Sequence, residues 1–193
     1  VVHGGLQLAL AAATLGRRIR AAGRPGDPQS ISAYYLSGAL PGPAELRTDV
    51  ARLGRTLSTG AVSLSQEVDG APVERMRALA TVTDLARLDP DVRLQAGPPD
   101  MPPPEECVPC PITVEGTTVW ERVEIRLDPA AAGWVRDEPT GEAHQRGWAR
   151  LADGREPDAL ALLVVCDAVP ATVTALGLRG HVPTLELTAH VRG

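Results

Sequence analysis

Lysine and phenylalanine are both absent from these 193 residues, and all 19 basic side chains are arginine. Without lysine there is no Schiff-base amine, no P-loop lysine and no lysine general base. Without phenylalanine, Leu, Val, Ala and a few Trp and Tyr must fill the core. A GC-biased genome accounts for both absences with no functional meaning. Cysteine is sparse as well: three residues do not make the even, dense set of a disulfide framework. Cys107 and Cys110 form a CxxC, but no second CxxC or suitably spaced His pair completes a zinc site. Met101-Pro102-Pro103-Pro104 precedes the pair, and Pro109 and Pro111 crowd it, unlike a redox CxxC that opens a helix. It reads as incidental, and nothing calls for a metal or a cofactor. No apolar run reaches the roughly 18 residues that span a membrane, and no basic region precedes an apolar one at the start. The expectation is a soluble, cytoplasmic protein. The net charge is −5 and the arginines are scattered, so there is no basic face for nucleic acid. No G-x-S-x-G elbow is present, which argues against a serine hydrolase.

What is present is apolar and patterned. Hydrophobic residues make up 44% of the chain, enough for a sizeable core. Gly4 to Ala22 reads as a helix, apolar nearly all round from Leu6 to Leu15, a pattern that predicts a helix wrapped by other structure. Arg17, Arg18 and Arg20 suit its C-terminus, and Gly23 and Pro25 stop it. Four strand-like runs follow, at 31–36, 44–53, 56–68 and 73–84, with an Asp69-Gly70 hairpin turn. A long helix followed by an antiparallel meander predicts a sheet curled around that helix.

Residues 89–118 are rich in Pro and acidic side chains and read as a linker. Strand signals return at 119–127 and 147–151. A second apolar helical stretch, 158–176, is interrupted by Pro170, and a strand at 184–191 follows. The chain thus divides into a first half at 1–88, a linker at 89–118 and a second half at 119–193. Both halves share the order buried helix, glycine-containing turn, strand. The first half has four strands after its helix and the second has room for one, leaving a bare edge and an open core. The expectation is therefore a truncated second half, with roughly 48 residues absent at the C-terminus given typical strand spacing, and a first half lacking its N-terminal strand.

Several segments resemble the TesB-like acyl-CoA thioesterases. His3-Gly4-Gly5 is similar to the start of the central helix in that family. Tyr34-Tyr35-Leu36, Pro41-Gly42-Pro43 and the R-x-G-R-[ST] hairpin within Arg52-Leu53-Gly54-Arg55-Thr56-Leu57-Ser58 resemble its strand and turns. Asp158-Ala159-Leu160-Ala161-Leu162 through Cys166-Asp167, then Val182-Pro183-Thr184-Leu185-Glu186-Leu187, resemble the segments that carry its catalytic Asp and Thr. No single motif is specific; order and spacing together carry the likeness across nearly the whole chain outside the linker. The resemblance implies an α+β double hotdog, two antiparallel sheets each wrapped around a long central helix. It implies hydrolysis of an acyl-CoA or acyl-carrier thioester, and a homodimer formed edge to edge. It also implies that Asp167 and Thr184 orient the attacking water, together with a Gln expected beyond Gly193.

The residues add their own argument. An Asp after the uncharged run Leu160–Cys166 is costly to bury unless hydrogen-bonded or used, and desolvation would make it a better base. The plainer reading is that Asp167 caps a helix restarting near Pro170. Placing Asp158 under His3 sets Asp167 opposite Ala12, nine residues on in each case, so one half has the acid and the other has Gly4-Gly5. Backbone N–H groups at an unhindered helix start can polarise a carbonyl. The proposed set is Gly4 or Gly5 as oxyanion donor, Asp167 as base and Thr184 as water ligand. Gly4-Gly5 as a mere tight turn, His3 as a simple cap and Thr184 as an ordinary strand residue are the plain alternatives. Trp120, Trp134 and Trp148 read as packing residues.

Two other readings stand beside this one. A double hotdog dehydratase would pair His3 with Asp167, but Gln7 and Ala12 stand where its H-x-x-x-G-x-x-x-x-P needs Gly and Pro. A hydratase of the MaoC type needs a His a few residues after its Asp, and the next here is His181. A non-catalytic acyl-CoA-binding module of the same fold would keep the glycines without needing the acid.

Overall fold

The structure is a computed structural model that describes residues 1–88, 97–111, 119–178, 180 and 182–192. His181 and parts of the segment read as a linker, 89–96 and 112–118, lie outside the described residues. Elements are numbered along the chain. It forms two compact units, Val1–Val92 with Asp158–Asp167 and Thr184–Gly193, and Arg93–Pro157 with Ala168–Pro183.

The first unit opens with α1, Gly4–Ala21. Leu, Ala and Gln dominate its first three turns, all strong helix formers. Arg18 and Arg20 occupy its last turn, where the dipole favours cations, and Gly23 leaves the helix at a φ of 73°. Four strands follow: β1 (Asp27–Tyr35), β2 (Glu45–Arg52), β3 (Ser58–Val68) and β4 (Ala71–Thr83). Asp69 and Gly70 both take positive φ, 51° and 79°, as the right-handed twist of a two-residue hairpin demands. Later in the chain come α3 (Ala159–Val165) and β8 (Glu186–His190). The sheet order is β2-β3-β4-β1-β8, every pair antiparallel.

Alternation along the strands sends one set of side chains to α1. Ile31 and Ala33 on β1, Val62 and Leu64 on β3, and Met76, Ala78, Ala80 and Val82 on β4 meet Leu8, Ala11, Ala12, Leu15 and Ile19 of the helix. All are nearly inaccessible, and each large one contributes about 1.5–3 kcal/mol by burial. The helix is not wrapped on every face, as its uniform apolarity predicted. Leu6 and Leu10 stay 43% and 42% exposed, because the sheet and α3 cover only the faces carrying Gly5, Leu8, Ala12 and Leu15.

Two further expectations are corrected here. The apolar stretch 158–176, expected as helical with an interruption at Pro170, is less helical than that: α3 stops at Val165, and after Pro170 only a 3-10 turn forms at Thr172–Leu176. Pro170 removes the amide that would donate to the Cys166 carbonyl and disfavours a helical Val169, so no helix runs on through it. The last strand begins at Glu186, so Thr184 lies ahead of it rather than on it, and β8 extends the first half's sheet by pairing with β1.

The second unit carries a three-stranded sheet, β5-β6-β7, from β5 (Val108–Pro109), β6 (Val123–Leu127) and β7 (Gly147–Leu151). Residues 119–122, expected as strand, form a single helical turn, α2 (Val119–Arg122). Inside the segment read as a linker, β5 and a 3-10 turn at Pro104–Glu106 form, and β5 pairs with β6. Val123, Ile125, Leu127, Ala132 and Leu151 are buried, and buried Asp128 lies 2.6 Å from Arg146. Trp148 is 40% exposed and donates to the Pro102 carbonyl, so it anchors a loop instead of filling a core. Cys107 and Cys110 are not joined in a disulfide; the first is buried, with its sulfur donating to the Pro102 carbonyl.

Candidate active site

The start of α1 lacks an acid in its first turn, so its exposed N–H groups need an anion from elsewhere. Asp167 supplies it. The residue follows the last turn of α3, and its Oδ2 accepts the Gly5 N–H at 2.9 Å. Asp167 is thus a cap, but of α1, not of a helix restarting at Pro170. The 3-10 turn after Pro170 has Ala171 as its cap and no side-chain cap bond. The other carboxylate oxygen, Oδ1, accepts from the Thr184 hydroxyl at 3.0 Å. The carboxylate keeps only 14% of its side-chain surface exposed.

Glycine at positions 4 and 5 is a packing requirement. A Cβ on Gly5 would sit 2.7 and 2.8 Å from the carbonyl oxygens of Val164 and Leu163, the last turn of α3. A Cβ on Gly4 would sit 2.8 Å from Asp167 Oδ2 and 3.1 Å from Tyr35 Cζ. These contacts let the two helices approach until the acid reaches the amide.

His3 and Tyr35 complete the surroundings. His3 Nδ1 accepts the Leu6 N–H at 3.3 Å, which assigns the proton to Nε2. That nitrogen donates to the Asp167 carbonyl at 3.0 Å and lies 3.4 Å from Oδ2. His3 therefore caps α1 and also holds the acid's backbone. Tyr35 ends β1 and donates its hydroxyl to the Gly4 carbonyl at 2.9 Å. Burial, then the Asp167 charge and the nearby Cys166, push its phenol well above its ordinary range, so it remains a donor.

All the residues named from sequence as a site, Gly4, Gly5, Asp167 and Thr184, thus meet within the first unit. Their division of labour differs. The Gly5 N–H is committed to the carboxylate, whereas the Gly4 N–H has no hydrogen-bond partner among the described residues. Tyr35 was not singled out as a site residue, although strand parity could have found it: Ile31, Ala33 and Tyr35 share one face of β1. Among the described residues no cluster of His, Cys, Asp and Glu could hold a metal ion.

Comparisons with known proteins point the same way. The family profile of the acyl-CoA thioesterase N-terminal domain matches residues 1–83, and that of the acyl-CoA thioesterase C-terminal domain matches 98–193. No curated protein matches the chain. A protein of Thermobifida fusca provisionally described as thioesterase II is 28% identical at a TM-score of 0.70, covering 86% of this chain and 61% of its own. A protein of Novosphingobium aromaticivorans provisionally described as a thioesterase is 26% identical at 0.74, covering 99% and 70%. A conserved protein of unknown function from Alicyclobacillus acidocaldarius, described as having a hot dog fold, is 21% identical at 0.76, covering 97% and 66%, and speaks for the fold. The chain spans about three-fifths of the length of the Thermobifida protein.

Proposed function

Because this chain belongs to the acyl-CoA thioesterase family, we propose that it hydrolyses an acyl-CoA thioester to the free acid and CoA, with Asp167 as the base. The observation that carries this reading is the Asp167 carboxylate suspended between the Gly5 amide and the Thr184 hydroxyl.

Each carboxylate oxygen has a lone pair left after these bonds, and the Thr184 oxygen, having donated its proton, can still accept. A water placed between Oδ1 and Thr184 Oγ1 is aligned with its lone pair free to attack. Asp167 takes a proton as the water oxygen bonds to the thioester carbon, and the carbonyl oxygen becomes an oxyanion. The Gly4 N–H, without a hydrogen-bond partner among the described residues and at the positive end of α1, is the donor for that oxyanion. Collapse of the tetrahedral intermediate breaks the carbon–sulfur bond and expels the CoA thiolate, which takes the proton that Asp167 acquired, so the carboxylate is regenerated and the carboxylic acid leaves.

His3 lies near enough to Asp167 to raise the dehydratase reading, in which the two would act as an acid–base pair on a 3-hydroxyacyl thioester. Both ring nitrogens of His3 are engaged, one by Leu6 and one by the Asp167 carbonyl, which favours a holding role. The resemblance adds a homodimer to the proposal, and the sequence pattern adds a cytoplasmic location; among the described residues no helix is long and apolar enough to cross a membrane. A panel of acyl-CoAs of graded chain length, followed by thiol release, tests the reaction directly. Turnover of at least one member supports it. Dehydration of a 3-hydroxyacyl-CoA with no thiol release would replace it.

A further inference from the structure

The Gly4 carbonyl and the Gly5 N–H belong to a single peptide unit. Tyr35 donates to its oxygen at 2.9 Å, and its N–H donates to Asp167 Oδ2, also at 2.9 Å. A trans amide carries these two groups on opposite sides of a rigid plane. An amide whose oxygen accepts a strong hydrogen bond is more polarised, and its N–H becomes a better donor; such chains strengthen each bond by about 10–30%. We propose that Tyr35 is a positioning residue for the acid, acting through the Gly4–Gly5 peptide plane, which it both orients and polarises. The inference rests on Asp167 being the base and adds a residue that touches no reacting atom.

Three observations support the relay over simple packing. Among the described residues the partner of the hydroxyl is the carbonyl of this amide. The ring lies against Gly4, where a Cβ would come within 3.1–3.2 Å of its carbons, so the peptide plane is held by contact as well as by the bond. Burial keeps the phenol protonated, so the donor is not lost by ionisation. His3, by contrast, holds the carbonyl of Asp167, and Thr184 holds Oδ1; among the side chains of the described residues, Tyr35 is the one that acts through the amide bonded to Oδ2.

The test is Tyr35→Phe, which keeps the ring and removes the donor, read in two ways. In protein labelled with 15N-glycine, the Gly5 amide proton should move upfield in the variant while distant glycines such as Gly70 and Gly154 stay put. With an acyl-CoA substrate, kcat should fall about two- to tenfold, the rate equivalent of one neutral hydrogen bond, with KM little changed. An unmoved Gly5 resonance would overturn the relay whatever the rate does. A moved resonance with an unchanged kcat would overturn its positioning role. The amide readout needs no turnover, so it stands even if wild-type protein hydrolyses no acyl-CoA, an outcome that would instead remove the proposed reaction.

Discussion

The amide of Gly5 and the carboxylate of Asp167 lie 162 positions apart in the chain and 2.9 Å apart in space. One belongs to the first turn of a helix that has no acid in that turn; the other follows a short helix that ends at Val165. Their meeting joins a stabilising contact to a chemical one: the charge that completes the α1 dipole is the charge proposed to activate water. A carboxylate at a helix start contributes about 0.3–1 kcal/mol when exposed and up to about 2 when partly buried. The site therefore stands partly on the stability of the fold.

The two glycines should respond differently to the same added methyl. At Gly4 the nearest obstacle is the end of a flexible side chain, Asp167 Oδ2, so Gly4→Ala should displace the carboxylate and reduce kcat by an order of magnitude or more, with a smaller stability loss than at Gly5. At Gly5 the obstacles are backbone carbonyls of α3. Gly5→Ala should cost about 1–3 kcal/mol in denaturant unfolding, as overpacking does. Equal stability losses at the two positions would contradict this assignment.

Thr184 offers a cleaner separation of rate from stability. Its side chain is exposed, yet its hydroxyl reaches Oδ1. Thr184→Val removes that donor without changing volume, and kcat should drop about tenfold while unfolding free energy shifts by no more than about 0.5 kcal/mol. Thr184→Ser should restore most of the rate. A Val variant with wild-type kcat would remove the hydroxyl from the mechanism.

The legibility of this site from sequence was uneven, for identifiable reasons. Helix α1 and the Asp69-Gly70 hairpin were readable because glycines, a proline and arginines punctuate them locally. The nine-residue offset that set Asp167 opposite Ala12 brought the acid toward Gly4-Gly5 for a sound reason: two halves with a common helix plan place a late residue of one helix near the start of its antiparallel neighbour. The end of α3 was harder, since Ala168, Val169 and Ala171 continue an apolar pattern across Pro170. The partner of β8 was not readable at all. A period of two says which side chains share a face, and nothing about which sheet edge accepts the strand. The allocation of Gly4 and Gly5 between oxyanion and acid likewise depends on a separation of a few ångströms.

Cys166 reports on the charge of its neighbour. Desolvation of its sulfur, and after it the Asp167 carboxylate, push the thiol up from its ordinary range. A raised value means less thiolate at a given pH, so alkylation by iodoacetamide at pH 8 should be slower than for a free cysteine. Asp167→Asn removes the negative charge, which should bring the thiol back toward its ordinary range, raise its thiolate fraction and speed alkylation several-fold. Peptide mapping separates Cys166 from Cys107 and Cys110, which are likewise not in a disulfide. An unchanged rate in the Asn variant would mean that the carboxylate charge does not reach the sulfur.

Asp167→Asn also tests the central claim most directly. Asparagine is nearly isosteric and its amide oxygen can still accept from Gly5, so fold and ligand binding should survive while the base is lost. With the best acyl-CoA of a chain-length panel, thiol release should fall at least about 100-fold, within the range expected for a missing general base. Binding of that acyl-CoA, followed by calorimetry, should stay within about threefold of wild type. Undiminished hydrolysis by the Asn variant would contradict the account.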